Sequence, residues 1–400
     1  PALTPVEAAE VLETARPSLL AVDRERAPAA AVLAKGAGIR VVESTGVGRE
    51  AAPPREQTAL RETDPHVVFF TSGSTGRPKG VVLSHRVNAL RSHPGAMLEQ
   101  RGAMVCPYPL FHMGAWTIAL QQWQARDRVV FVEPDATAIC EAVRAHRAAR
   151  LNCIPAVWRR ILDHLDRGGR REDLASLRFA DTGTSVTPLE LLERISAAAP
   201  DAALRVFYGS TEAGSVASLA HEDFRRKPGS CGVPAPWSSV RIDDGGEVWV
   251  RGPLLFDGYF EDPAATAEAL VDGWYRTGDM ADVDDEGYLT IVGRTRDVIR
   301  TGGETVAPTE IEAVLAEMPG IADVAVVGIP DAQWGEVVCA AIVPTPGGTG
   351  IGVDAVRAHC TGRLAPHKHP RRVAVVDSIP RTESTRQVQR RLLVERLSPG

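Results

Sequence analysis

The sharpest chemical signal in the sequence is the run Thr71-Ser72-Gly73-Ser74-Thr75-Gly76-Arg77-Pro78-Lys79-Gly80. Glycines let backbone N–H groups approach an anion closely, the hydroxyls add donors and Lys79 adds a positive charge, so the run suits a polyphosphate. It is not a Walker A loop, which needs Gly-Lys-Ser/Thr, because Pro78 precedes Lys79 and Gly80 follows it. A shorter Gly/Ser run would read as a plain surface loop. Further along stand Tyr208-Gly209-Ser210-Thr211-Glu212, Trp274-Tyr275-Arg276-Thr277-Gly278-Asp279, Gly293-Arg294-Thr295-Arg296-Asp297 and Arg300-Thr301-Gly302-Gly303-Glu304. Taken alone, a Gly-Asp or Gly-Arg pair is only a turn signal.

The elements that must hold these residues alternate between β-prone apolar runs and helical periodicity, the pattern of α/β layering. Val67 to Phe70 reads as a buried strand feeding the Gly/Ser/Thr loop. Asp135 to Arg150 reads as helix, with Ile139, Ala142, Val143 and His146 on one face, and Thr187-Pro188 opens a helix over Leu189 to Ala199. Thr309-Glu310-Ile311-Glu312 reads as a capping box opening a helix whose apolar face is Ile311, Val314, Leu315 and Met318. Strands at Val324–Val327, Val337–Val343 and Val373–Val376, with a helix at Val353–Cys360, complete a small α+β module. Pro344 to Gly350 reads as a surface loop within it.

The chain has 400 residues and 44% apolar content, enough for two or three domains. A net charge of −6 without a dense Lys/Arg block gives no nucleic-acid footprint. No apolar stretch is long enough to span a bilayer and the first residues lack a signal-peptide pattern, so the expected compartment is the cytoplasm, with no membrane partner. The 6 cysteines form no C-x-x-C pair and read as small core residues rather than disulfides or zinc ligands.

In order along the chain, these segments resemble the signature motifs of the adenylate-forming enzymes, the superfamily of acyl-CoA synthetases, adenylation domains and luciferases. The resemblance implies acid plus ATP giving acyl-AMP, then transfer of the acyl group to CoA, with Mg²⁺ as cofactor. Thr71, Ser72, Gly73, Ser74, Thr75, Gly76 and Lys79 would bind phosphate. Tyr208 and Gly209 would border adenine, Thr211 would contact the α-phosphate and Glu212 would hold Mg²⁺, a hard cation that phosphate-bound takes one or two carboxylates. Asp279 would accept both ribose hydroxyls, as one ionised carboxylate can, with Arg294 beside it. Arg296 falls at the hinge, and Gly302 and Gly303 would line the pantetheine path. His112 resembles a residue bordering the acyl site, although a packed core histidine fits equally. Thr182, Gly183 and Thr184 align with a Gly-Gly-Ala stretch shaping the acyl and adenine pockets, from which Thr182 and Thr184 depart. No Asp lies between Pro107 and Trp123 to hold an ammonium group, which favours a plain carboxylic acid.

The implied fold is α/β: a large multi-layer adenylate-binding domain over 1–296 and a small mobile α+β domain over 297–400. Chains of this family usually carry a longer stretch before the phosphate loop, so part of the first lobe is expected to be absent, the chain being either naturally short or shortened. Family chains also end in Pro-Arg-Thr, two residues, then Gly-Lys, whose lysine bridges carboxylate and α-phosphate. Here Pro380-Arg381-Thr382 is followed by Glu383-Ser384-Thr385-Arg386, with Gln387 as an apparent insertion. Arg386 in the lysine's place is expected to impair adenylation while thioester formation survives, since a planar fork does not replace a compact ammonium. Such a chain would draw its acyl-adenylate from a separate adenylating enzyme. The alternatives are that Arg386 or Lys368 suffices for a full two-step ligase, that a carrier-protein thiol replaces CoA, or that the chain is a silent acyl- or nucleotide-binding protein.

Overall fold

The structure, a computed structural model, describes residues 5–35, 38–44, 59–72, 78–93, 101–346, 351–381 and 387–398. Its largest sheet has seven strands in the spatial order Val233–Pro234, Gly214–Leu219, Ala203–Ser210, Phe179–Gly183, Arg150–Asn152, Met104–Cys106, Val129–Phe131. The last five are mutually parallel. On their inner face, alternate residues Val105, Leu151, Ala180 and Leu204 are buried against Ile139 and Val143, Trp158 and Ile161, and Leu191 and Ile195 of three crossover helices. Each helix has a local reason to start. The Asp135 carboxylate accepts the Ala138 N–H at 2.9 Å ahead of Ala136–His146, Pro155 opens Pro155–Asp166, and Pro188 precedes Leu189–Ala198. The first helix stops at His146, short of the Arg150 expected from its pattern, because Arg147 turns left-handed at φ 47° and Arg150 begins the next strand.

Three smaller sheets complete the large domain among the described residues. Strands Pro65–Ser72 and Pro78–Ser84 form an antiparallel hairpin, with Gly258–Tyr259 added to its second strand. On this hairpin Thr71 lies opposite Lys79, while 73–77, in the Gly/Ser/Thr run between the two strands, lie outside the described residues. A five-stranded sheet carries Trp274–Val283 at its centre, paired with Glu247–Arg251 and Leu289–Arg294. Ahead of these, strands Leu19–Val22 and Arg40–Glu43 form a parallel pair around the helix Ala27–Lys35.

Sheet membership changes between Arg294 and Ile299. Strand Ile299–Thr301 belongs to a separate sheet with Glu304–Val306, Gly335–Pro344, Ile321–Asp331 and Arg372–Val375. Its long central strands are buried on both faces, as period-two alternation requires. Val324, Val326 and Ala340 meet helices Pro308–Ala316 and Val353–Cys360, while Ala325, Val327 and Cys339 meet Leu393 of helix Arg390–Leu397. The helix over 308–316 is present, but not through the expected capping box. Its N-cap is Ala307 with Pro308 following, the Thr309 hydroxyl donates instead to the Val292 carbonyl, and Glu312 accepts the Val326 N–H at 2.7 Å. All 6 cysteines are buried and unpaired. Among the described residues no helix is long and apolar enough to cross a membrane.

Candidate active site

In open α/β sheets ligands bind beyond the carboxyl ends of the parallel strands. Here those ends carry His112 after Met104–Cys106, Asn152, Gly183 with Thr184, and Tyr208 with Gly209. Strands Phe179–Gly183 and Ala203–Ser210 lie side by side, so the two motif segments become neighbours. Backbone crowds tightly there. A Cβ on Gly209 would stand 2.1 Å from the Gly214 carbonyl oxygen, which leaves glycine as the residue that fits. Thr184, exposed at φ 68°, is a β-branched residue in the left-handed region, a strained geometry of the kind found at functional sites. Thr182 is 1% exposed and its hydroxyl has no hydrogen-bond partner.

Asp279 and Arg294 are register partners on adjacent antiparallel strands. Arg294 Nε lies 2.9 Å from Asp279 Oδ1, and the Tyr208 hydroxyl donates to Oδ2 at 2.8 Å. Burial raises the Asp279 carboxyl above the usual carboxylate range, against the pull of Arg294 and the Tyr208 hydrogen bond. The Tyr208 hydroxyl is itself held far above its usual range by burial and by Asp279. Two residues that the sequence did not single out set this strand. Buried Glu247 accepts the Gly278 N–H at 3.1 Å and the Arg276 guanidinium at 2.8 Å. The Thr277 hydroxyl donates to the Val248 carbonyl and accepts the Asp279 N–H at 3.0 Å.

A second group gathers around Glu212. The Tyr259 hydroxyl donates to Glu212 Oε1 at 3.2 Å, and Lys79 Nζ sits 5.0 Å from the centre of the Tyr259 ring. Tyr259 reaches this point because its short strand pairs with the second strand of the hairpin, Tyr259 opposite Val81. Burial lifts the Tyr259 hydroxyl well above its usual range, with Glu212 adding to the effect. Tyr275, on the strand that carries Asp279, packs its ring 5.4 Å from that of Phe256, which in turn lies 4.9 Å from the Tyr259 ring, so the two groups border one region. Sequence reading missed Tyr259, which no motif flagged.

Glu212 suits a metal carried in by a ligand better than a resident one. One carboxylate oxygen is taken by Tyr259, and among the described residues no group of three or more His, Cys, Asp or Glu could enclose an ion. A phosphate-bound Mg²⁺ needs only one or two carboxylates, so the donor set fits that ion.

The remaining expected residues are dispersed. His112 is half-buried against Phe111, with ring centres 4.5 Å apart, and burial lowers its basicity. Gly302 and Gly303, at φ 61° and 88°, form the turn joining Thr301 to Glu304, and Gly302 lies against Trp334. Arg296 Nε is 3.8 Å from Asp297 Oδ1, whose other oxygen lies 3.5 Å from Arg390 Nε on the last helix. Lys368 grips both oxygens of Glu310 at 2.6 and 2.7 Å, which leaves it committed within the small domain. Arg386 lies outside the described residues.

A largely parallel sheet with buried crossover helices and a set of polar groups at its carboxyl edge, followed by a separate small domain, is the architecture of an α/β ligand-binding enzyme. Residues 1–260 match the AMP-binding enzyme family and residues 310–386 its C-terminal domain, and the chain belongs to this family, the adenylate-forming acyl-CoA synthetase superfamily. It is 37% identical over 347 residues to the indoleacetate–CoA ligase of Aromatoleum aromaticum, an alignment covering 83% of this chain and 67% of that protein. The ATP-bound structure of MatB from Rhodopseudomonas palustris superposes with a TM-score of 0.86 at 28% identity, over 99% of this chain and 82% of that one. The o-succinylbenzoate CoA synthetase of Bacillus subtilis, in complex with its acyl-adenylate, gives 0.86 at 25% identity over 98% and 81%.

Proposed function

We propose that this chain joins a carboxylic acid to the thiol of coenzyme A through an acyl-AMP. The observation that carries the reading is the Tyr208–Asp279–Arg294 cluster beside the Glu212–Tyr259–Lys79 group, at the sheet edge where the family binds nucleotide. Asp279 spends one lone-pair site per oxygen on Tyr208 and Arg294 and keeps acceptor capacity for the two ribose hydroxyls. Thr211 and Lys79, with the Gly/Ser/Thr run, would take the phosphates, and Gly183, Thr182 and His112 would border the acid. Mg²⁺ bound between the phosphates and Glu212 would offset the negative charge that develops on the bridging oxygen. Lys79 supplies a fixed positive charge to the same region, and no nucleophilic side chain is needed because AMP is the leaving group.

In this reading the domain after Arg296 turns between half-reactions and brings the Gly302–Gly303 turn to the thiol path. Adenylation is the weaker half-reaction, because Arg386 occupies the family lysine's place and Lys368 is held by Glu310. The test compares acid-dependent pyrophosphate–ATP exchange with thioester formation from supplied acyl-adenylates, beginning with aryl acids such as those named for the two ligase relatives. Slow exchange with useful thioester formation is the expected result. Equal rates would make the chain an ordinary two-step ligase. Transfer to a phosphopantetheinyl carrier but not to CoA would change the acceptor, and AMP binding without turnover would make the chain a silent binder.

A further inference from the structure

Arg91 is a buried cation without a carboxylate in ion-pair range among the described residues. Its residue is 6% exposed, on helix His85–Ser92 directly after the hairpin strand that carries Lys79. Nε donates to the Leu254 carbonyl at 2.9 Å, Nη1 to the Thr211 carbonyl at 2.8 Å, and Nη2 to the Glu212 carbonyl at 2.8 Å and to Leu254 at 2.5 Å. Burial lowers its basicity to about 10, with Glu212 and Asp257 opposing the shift. Burying such a group is costly unless its donors are used, and here every guanidinium nitrogen is used on main chain that no strand ladder holds. An apolar side chain would pack the space at less cost, so the cation is explained by what it holds.

What it holds is specific. Thr211 and Glu212 form the turn after Ala203–Ser210, and Leu254 begins the segment that leads to Tyr259. The Glu212 carbonyl also accepts the Phe256 N–H at 2.7 Å, and the Tyr259 hydroxyl closes the circuit on the Glu212 carboxylate. A Cβ on Gly214 would stand 3.0 Å from Arg91 Nε and 3.4 Å from its Cζ, so the guanidinium packs closely against that turn. One side chain thus ties the helix behind the hairpin to both segments that fix the Glu212 carboxylate. We propose that Arg91 is the positioning residue that aims Glu212 at the nucleotide-bound metal, an inference that rests on the reading of Glu212 as its ligand.

The test uses the full chain with ATP and Mn²⁺ as the probe, with the Mn²⁺ dissociation constant of the protein–ATP complex followed by electron paramagnetic resonance. Arg91→Met is expected to raise that constant about 10-fold or more, the usual worth of an outer-shell group, and Arg91→Lys by less. Adenosine affinity without metal, which reports the Asp279 cluster and no phosphate contact, should stay unchanged. Glu212→Gln should raise the Mn²⁺ constant too, and combining it with Arg91→Lys should add little. If Glu212→Gln shifts the constant and both Arg91 variants leave it unchanged, Arg91 is only structural and the inference falls. If Glu212→Gln has no effect, the metal reading itself falls. Should Arg91→Met fail to fold, the Lys variant alone decides.

Discussion

Replacing Asp279 with Asn keeps shape and removes charge, and the two consequences run in opposite directions. In the wild type one carboxylate oxygen meets Arg294 and the other Tyr208, so ribose would bind to the lone pairs that remain. Hydrogen bonds to a charged acceptor are worth about 1.5–3 kcal/mol, and losing that much weakens AMP by roughly 10- to 150-fold. Stability goes the other way. Burial raises the Asp279 carboxyl despite Arg294, so relative to the unfolded chain the fold prefers the protonated form. Its contribution is fully present below the unfolded carboxylate range and is lost as pH rises through its own raised value. The substituted amide cannot ionise, so the thermal midpoint of Asp279→Asn relative to wild type should climb as pH rises above the ordinary aspartate value of about 3.9. Calorimetric titration with AMP and thermal melts across that range measure both effects. Unchanged AMP affinity in a folded variant would refute the ribose assignment, and a midpoint difference that falls with pH would refute the burial argument.

Gly303→Leu should stop thioester formation from supplied acyl-AMP and CoA while acyl-AMP affinity holds. Gly303→Ala shares the left-handed cost of roughly 1–2 kcal/mol but not the bulk, and should keep most of the activity; equal loss in both would point to strain rather than a blocked path. Arg386→Lys, with Thr385→Gly and deletion of Gln387 if the register needs it, should raise acid-dependent pyrophosphate exchange about 10-fold or more and leave the thioester step unchanged. The native chain should resist a thiol-titrating disulfide at about pH 8 and react only when unfolded, because burial lifts Cys106 and Cys140 to about 11 and Cys231 to about 12. Fast labelling of any of these would contradict their burial.

What the sequence made legible were features with a period or a punctuation mark. The strand at Val67–Phe70, the helices that follow Asp135 and Pro188, and the strands of the small domain all follow from side-chain alternation and local caps. What it hid were groups whose role depends on a distant partner. Ser84, Val87, Asn88 and Arg91 share one helix face, yet an arginine at the end of that stripe reads as solvated until the carbonyls of Thr211, Glu212 and Leu254 are brought to it. Glu247, which no motif marks, holds the turn before Asp279. Thr309 looked like a cap because its spacing to Glu312 is right, but both side chains found better partners in neighbouring strands.

The altered C-terminal motif is contained by its own surroundings. Arg381 and Val388 form an antiparallel bridge, and the Gln389 N–H donates to the Pro380 carbonyl at 2.8 Å, so the ends of the segment around Arg386 are joined at a closed base. Beyond that base Arg390 binds Glu312 at 2.6 Å and reaches Asp297, the neighbour of Arg296, which anchors the last helix to the proposed hinge whatever the length of the loop. Under the proposed reading of Gln387 as an insertion, the closed base keeps the added length from pulling on the hinge or on the Gly302–Gly303 turn. It follows that any loss of adenylation is local, and that charge and reach can be separated. If Arg386→Lys alone restores exchange, the fork geometry of arginine was the obstacle. If only the shortened loop restores it, the obstacle was distance.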